Sequence, residues 1–447
     1  MNKYLIVGII LVVLVALLAT NKKLVETLKN IYKIEELRKR ILFTLGLLLI
    51  YRLGSFVTLP GVNHAALEAF TSSFENDNSL LGLLNVFSGG AFSQASIFAL
   101  GVMPYITASI IIQLLGIMVP YFRKMQREGE SGRRKMNQWT RFLTIGVLLL
   151  QAPAYLKTQV IPTGAVTQES MFIVTSTIIL IAGTMFIMWL GEKITDKGIG
   201  NGISLIIMIG IVARLPMAFL QEVTLKLGGA GSIIMLIVEL VLLALVFMFS
   251  IAIVQAVRKI PVQYAKRIVG NKQYGGVRQY IPLKLNAANV MPIIFAQALM
   301  FIPGLIWGGQ WLDIQGFWYN FTLAVLVIAF TYFYTAIIVN PQMMADDMKR
   351  NGGFIPGVKP GKSTVTYIDN IMTRITLPGS IFLAIITVLP AIAMTLGVNS
   401  SFAYFYGGTS LLIMVGVVLD TLKQIESYLL MRHYDGLMKT GRIQGRY

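Results

Sequence analysis

The chain has 447 residues, is 55% hydrophobic and 13% charged, and carries a formal net charge of +18. Several continuous apolar runs of about 20 residues exclude an ordinary soluble domain and read as membrane-spanning helices, since each must satisfy its own backbone hydrogen bonds and none alternates like a β-barrel strand. Cysteine is absent, which excludes disulfides and thiolate metal sites, and His64 and His433 lie far apart in polar stretches as surface residues.

The first apolar run is "YLIVGIILVVLVALLA", Tyr4 to Ala19, preceded by Lys3 alone. As a cleaved signal it would send the seven cations of 21–40 outward, and Leu17 and Ala19 make a poor small-x-small cleavage pair. It reads as an uncleaved extra helix with its N-terminus outside, or as the product of a start assigned too far upstream. Ten further spans follow, at about 41–58, 97–119, 142–156, 171–190, 199–220, 232–256, 285–306, 317–339, 371–396 and 405–419. Their connecting segments alternate in charge. The segments 21–40, 120–141, 191–198, 257–284, 340–374 and 420–447 hold 33 of the 38 Lys and Arg residues, so they are expected on the cytoplasmic side together with the C-terminus.

Ten spans with both ends inside divide into two sets of five, and the second set must then lie inverted relative to the first. The expected organisation is an N-terminal apolar helix at 1–22, a first half at 23–220 and a second half at 221–447. No loop is long enough for a soluble domain. The loop 257–284 carries seven cations and no acid, and 351–364, "NGGFIPGVKPGKST", has the Gly and Pro content of a shaped, non-helical tip. Such basic loops suit topology and lipid contact, and their concentration here also suits a negatively charged macromolecular partner.

Other motifs are weak. "GIGNG", Gly198 to Gly202, follows an apolar span rather than a strand, and "GESGRRK", Gly129 to Lys135, lacks the rest of a phosphate loop. Acids within spans are nearly missing, with Glu239 inside one and Asp420 at an end, which counts against an ion-coupled solute transporter. Neither that class nor an intramembrane enzyme finds its residues here.

The segment 85–105, "NVFSGGAFSQASIFALGVMPY", places Gly-Gly, hydroxyls, amides and a proline where a span is beginning. With "RLGSFVTLPGV", "EGESGRRKMNQ", "MFIMWLGEKITDKGIGNGIS", "VQYAKR", "PLKLNAANVMPIIFA", "NPQMMADDMKRNGGFIPGVKPGKSTVTYIDNIMTRIT" and "GGTSLLIMVGVVLD", it resembles the SecY/Sec61-alpha family of protein-conducting channels, collinearly from about Arg40 onward. The resemblance implies an all-α, ten-helix channel without catalytic residues or cofactors. It would carry unfolded secretory polypeptides across the bacterial cytoplasmic membrane and release apolar segments sideways into the bilayer. It implies SecE and SecG as membrane subunits, the SecA ATPase or the ribosome on the basic loops, and SecD, SecF and a YidC-type insertase as further companions.

Carried over residue by residue, the resemblance implies a plug at 85–96, a short half-helix with Asn85, Phe87, Ser88, Gly89, Gly90, Ser93 and Gln94, its serines and glutamine tolerating water. The pore ring would be Val102, Ile106, Ile207, Ile294 and Ile413, with Val102 standing where isoleucine is common. The polar cluster of the lateral gate would be Thr107, Gln151 and Asn286, bonded across a closed seam. Motor and ribosome contacts would fall on Lys259, Lys266, Arg267, Lys272 and Lys359, the last a lysine where the family usually has arginine.

Overall fold

The computed structural model describes residues 34–63, 85–86, 88–163, 169–226, 233–264, 267–269, 272–274, 278–307 and 315–439. The run at 4–19, Phe87 and Lys266 lie outside the described residues. Helix dominates: α1 (Glu35–Gly54), α2 (Met103–Met118), α3 (Pro120–Arg127), α4 (Glu130–Tyr155), α5 (Glu169–Lys197), α6 (Gly202–Leu225) and α7 (Ile233–Gln255) lead into strands β1 (Val257–Tyr264), β2 (Arg267–Val269), β3 (Lys272–Tyr274) and β4 (Arg278–Lys284). Then come α8 (Met291–Trp307), α9 (Phe317–Ile338), α10 (Pro341–Arg350), β5 (Gly353–Phe354), α11 (Lys362–Thr395), α12 (Ser400–Ala403) and α13 (Gly408–Lys439).

Each of the ten expected spans is occupied by a helix, with shifted ends. Among the described residues six helical stretches are long and apolar enough to cross a membrane, and α2 with α3 would make a seventh as a broken span bent by 102°. The break falls at Val119, whose extended backbone (φ −102°, ψ 122°) is what a following proline imposes. The remaining expected spans have identifiable reasons for falling short. The helices α1 and α4 begin with charged turns, and α8 has only 17 residues.

The described residues fall into two compact units. One runs to Ile233 and regains Asn399–Phe402 and the chain from Val417, while the other holds Ile234–Val398 and Ala403–Gly416. In the first, the turn segment before α2 contributes residues to two apolar clusters. Leu59, Phe92, Ala95, Tyr155, Leu156 and Phe172 form one, and Leu48, Tyr51, Phe98, Val102, Ile187 and Ile206 belong to the other.

In the second unit, α11 is over half buried along its apolar window while α7 is 11% buried, so α11 is the central helix and α7 presents its side chains outward. The basic loops build a sheet of order β4-β1-β5. Strands β1 and β4 pair antiparallel from Val257↔Lys284 to Gln263↔Arg278, and β1 takes β5 through Gln263↔Phe354 and Tyr264↔Gly353. Ile260, Val262 and Leu283 face Met348, Ile355, Ile368 and Met372 beneath the sheet. The two basic loops are thus one packed body, a pairing that charge counting alone does not reveal.

Candidate functional site

The described residues from Asn85 to Val102 are mostly buried and mostly outside regular secondary structure. Past Asn85 and Val86 it is a run of turns, and the half-helix expected there does not form across Gly89 and Gly90. The reason is local: both glycines have left-handed backbone, φ +65° and +94°. A Cβ at Gly89 would stand 2.9 Å from the Gly210 Cα of α6, so nothing larger fits that approach. Likewise α2 starts at Met103 rather than near Ile97, because Gly101 is left-handed (φ +52°) and Pro104 sits in the first turn, where its missing N–H costs nothing.

Turns inside a protein must find hydrogen-bond partners off the ladder, and here side chains supply them. Asn85 Oδ1 accepts from the Ser93 N–H at 3.2 Å, Ser88 Oγ accepts from the Phe92 N–H at 3.0 Å, and Ser93 Oγ donates to the Gly90 carbonyl at 3.1 Å. Ser88, Ser93 and Ser96 are buried, which corrects the expectation that they tolerate water; only Gln94 is half-buried. Longer-range bonds seat the segment. The Tyr155 hydroxyl donates to the Phe92 carbonyl at 2.7 Å with its ring 4.7 Å from the Phe92 ring, and Arg52 Nη1 donates to the Gly89 carbonyl at 2.8 Å. Leu59 and Ile97 N–H groups donate to Ala95 and Val57 carbonyls, both at 2.9 Å, bridging the segment to the chain after α1.

The expected ring residues divide between the units. Val102 at the start of α2 is buried, and Ile106 and Ile207 pack against its cluster, so three of the five share one apolar group. In the second unit Ile413 is buried and Ile294 half-buried. Thr409, one turn before Ile413, donates to Gln297 Oε1 at 3.4 Å, one turn after Ile294, so α8 and α13 meet on the faces that carry the two isoleucines.

Of the polar gate residues, Thr107 donates to its own helix at the Met103 carbonyl (3.2 Å), Gln151 is exposed on α4, and Asn286 is buried with no hydrogen-bond partner for Oδ1. Lys259 on β1 and Lys359 in the turn before α11 are exposed, while Arg267 and Lys272 belong to the β2–β3 hairpin.

The "GIGNG" stretch is a structural turn between α5 and α6. Its N–H groups are taken by Thr44 Oγ1 (from Ile199, 3.1 Å), Gln424 Oε1 (from Gly200, 2.8 Å) and Thr195 Oγ1 (from Gly202, 2.9 Å), leaving no cradle for a phosphate. "GESGRRK" runs into the first turns of α4. Among the described residues no group of three His, Asp or Glu side chains could hold a metal ion. Arg52 and Tyr155 were not among the residues that the sequence singled out. An arginine inside an apolar run was the available signal for the first, since intramembrane charge is retained for a task.

The fold is similar to that of a solved structure described as a protein conducting channel, which aligns at TM-score 0.59 and 17% identity, covering 87% of this chain and 92% of that one. Sec61 in the canine ribosome–channel complex from the endoplasmic reticulum aligns at TM-score 0.55 and 16% identity, over 87% and 92% of the two chains. At the level of sequence, a SecY family model matches residues 96–422. The protein translocase subunit SecY of Halalkalibacterium halodurans is 44% identical over 439 residues, 93% of this chain and 100% of that relative. The chain belongs to the SecY family and is a multi-pass membrane protein.

Proposed function

We propose that this chain is the protein-conducting channel subunit of a translocase in a bacterial cytoplasmic membrane, moving unfolded secretory polypeptides and releasing apolar segments sideways into lipid. The observation that carries the reading is the end-to-end similarity to a protein translocase subunit. The buried run of turns preceding a shortened α2 adds to it. In this reading Asn85 to Ser96 is the plug, and Val102, Ile106, Ile207, Ile294 and Ile413 form a narrow ring of branched alkyl groups that excludes water and ions yet deforms around a passing chain. Thr107, Gln151 and Asn286 line the lateral gate. The buried orphan oxygen of Asn286 suits a group that exchanges partners when the gate opens.

The exposed cations of the β4-β1-β5 sheet and the Lys359 turn are the contact for a partner that supplies the energy, the SecA ATPase or a translating ribosome. SecE and SecG complete the membrane complex, with SecD, SecF and a YidC-type insertase as further companions. The basic segments and the C-terminus face the cytoplasm. No catalytic step belongs to this chain. The test is reconstitution: proteoliposomes holding this chain with SecE and SecG should protect a signal-bearing preprotein from added protease when SecA and ATP are present. Protection no greater than in empty liposomes, with the complex assembled, would contradict the reading.

A further inference from the structure

The last turn of α1 ends in a cation with a specific long-range partner. Arg52 is half-buried, and its Nη1 reaches 37 residues along the chain to the Gly89 carbonyl at 2.8 Å. The guanidinium is held in place from its own side: it lies 4.7 Å above the Phe56 ring, and Nη1 is 3.5 Å from Ser55 Oγ, which in turn donates to the Arg52 carbonyl at 2.7 Å. The neighbouring Gly90 carbonyl is taken by the Gln94 N–H and the Ser93 hydroxyl, while the Gly89 carbonyl faces Arg52. On the far side, a Cβ at Gly90 would come 3.4 Å from Nε of Arg214, a second half-buried guanidinium at the same turn. A preorganised cation on a carbonyl away from bulk water makes a strong, directional bond.

We propose that Arg52 is a positioning residue of the closed channel: it latches the Gly89–Gly90 turn to the end of α1, so that opening breaks one charge-assisted hydrogen bond as well as apolar packing. This rests on the reading of 85–96 as the plug. The latch adds to the Tyr155–Phe92 hydrogen bond and the apolar packing that also seat the segment.

The absence of cysteine from the chain provides a clean reporter, since Ala91→Cys is the chain's sole thiol, Ala91 is buried, and no side-chain hydrogen bond is lost there. Arg52→Met and Arg52→Lys are compared in proteoliposomes, by resting ion flux and by the rate of thiol labelling at position 91. Flux is also measured for each in a channel lacking 85–96. Arg52→Met should raise resting flux and labelling about tenfold or more, the effect of losing one charged hydrogen bond on a two-state gate, and Arg52→Lys should recover part of both. In the deleted channel neither substitution should change flux.

Wild-type flux and labelling in Arg52→Met would overturn the latch, as would equal increases with and without the segment, which would make Arg52 a structural part of α1. Should Arg52→Met fail to assemble, Arg52→Lys decides: an unchanged labelling rate overturns the proposal. A channel that stays tight on deletion of 85–96 removes the plug reading and the latch together, while a leaky deletion beside a tight Arg52→Met channel removes the latch alone.

Discussion

Two of the stretches that leave helical geometry solve the backbone's hydrogen-bonding problem in opposite ways. In the β4-β1-β5 sheet the ladder satisfies the N–H and C=O groups, so Arg258, Lys259 and Tyr280 are free to face solvent. In the turns from Asn85 to Gly101 there is no ladder beyond the Thr58↔Ser96 bridge, and Asn85, Ser88 and Ser93 are consumed in bonding the backbone. Polar residues in the first region are available to a partner; those in the second are committed to the fold. Substitutions should therefore separate the two, costing stability in the turns and partner-dependent function in the sheet.

The largest effect on stability should come from Gly89→Val. A branched side chain at φ +65°, with its Cβ 2.9 Å from the Gly210 backbone, combines strain with a clash. The cost should be about 2–5 kcal/mol, seen as a clear fall in the thermal unfolding midpoint of detergent-purified protein. Gly352→Val meets nothing within 4 Å at φ +68° and isolates the backbone term, so its cost should be the smaller of the two. Equal losses would mean that the approach to Gly210 is irrelevant.

Next is Tyr155→Phe, which leaves the Phe92 carbonyl without that donor while keeping the ring. About 1–3 kcal/mol should be lost, with proteolysis of the turn segment accelerated relative to the rest of the chain. Smallest in stability are Lys259→Glu and Lys359→Glu, both exposed, for which unfolding should move by less than about 0.5 kcal/mol. Their effect should instead fall on SecA-driven export by the assembled complex, with Lys359→Arg near wild type because the charge is retained. Normal export by both Glu variants would break the contrast between the regions.

Much of this was legible beforehand, for physical reasons that also explain the gaps. The apolar runs located α6, α7 and α9 to within about five residues at either end, because twenty consecutive apolar side chains admit few other structures in a bilayer, while the polar first turns of α11 and last turns of α5 extend those helices past their apolar runs. Hydropathy placed the start of α2 six residues too early, since Ile97 to Val102 is as apolar as the helix it precedes. What stops the helix there is the conformation of Gly101. The seven cations of 257–284 mask its strands in the sequence, although Ile260 and Val262 carry the two-residue period of a strand with one buried face. The composition of the plug-like segment was legible, but the burial of its serines was not. A serine that tolerates water and one that bonds a buried turn look alike in sequence, and only Tyr155 and Arg52 arriving from other helices distinguish them.

The central claim is that a polypeptide passes the isoleucine ring, and the direct measurement is photo-crosslinking from single sites to a stalled, radiolabelled secretory chain. Probes at Val102, Ile106, Ile207, Ile294 and Ile413 are compared with probes at Ile237 and Leu245, exposed on the outward α7. The account predicts adducts to the nascent chain from all five ring positions, dependent on a functional signal sequence, and adducts chiefly to lipid from the two α7 positions. Equal capture from α7 and the ring, or no capture from Ile207 and Ile413 while the chain remains stalled and protease-protected, would contradict it.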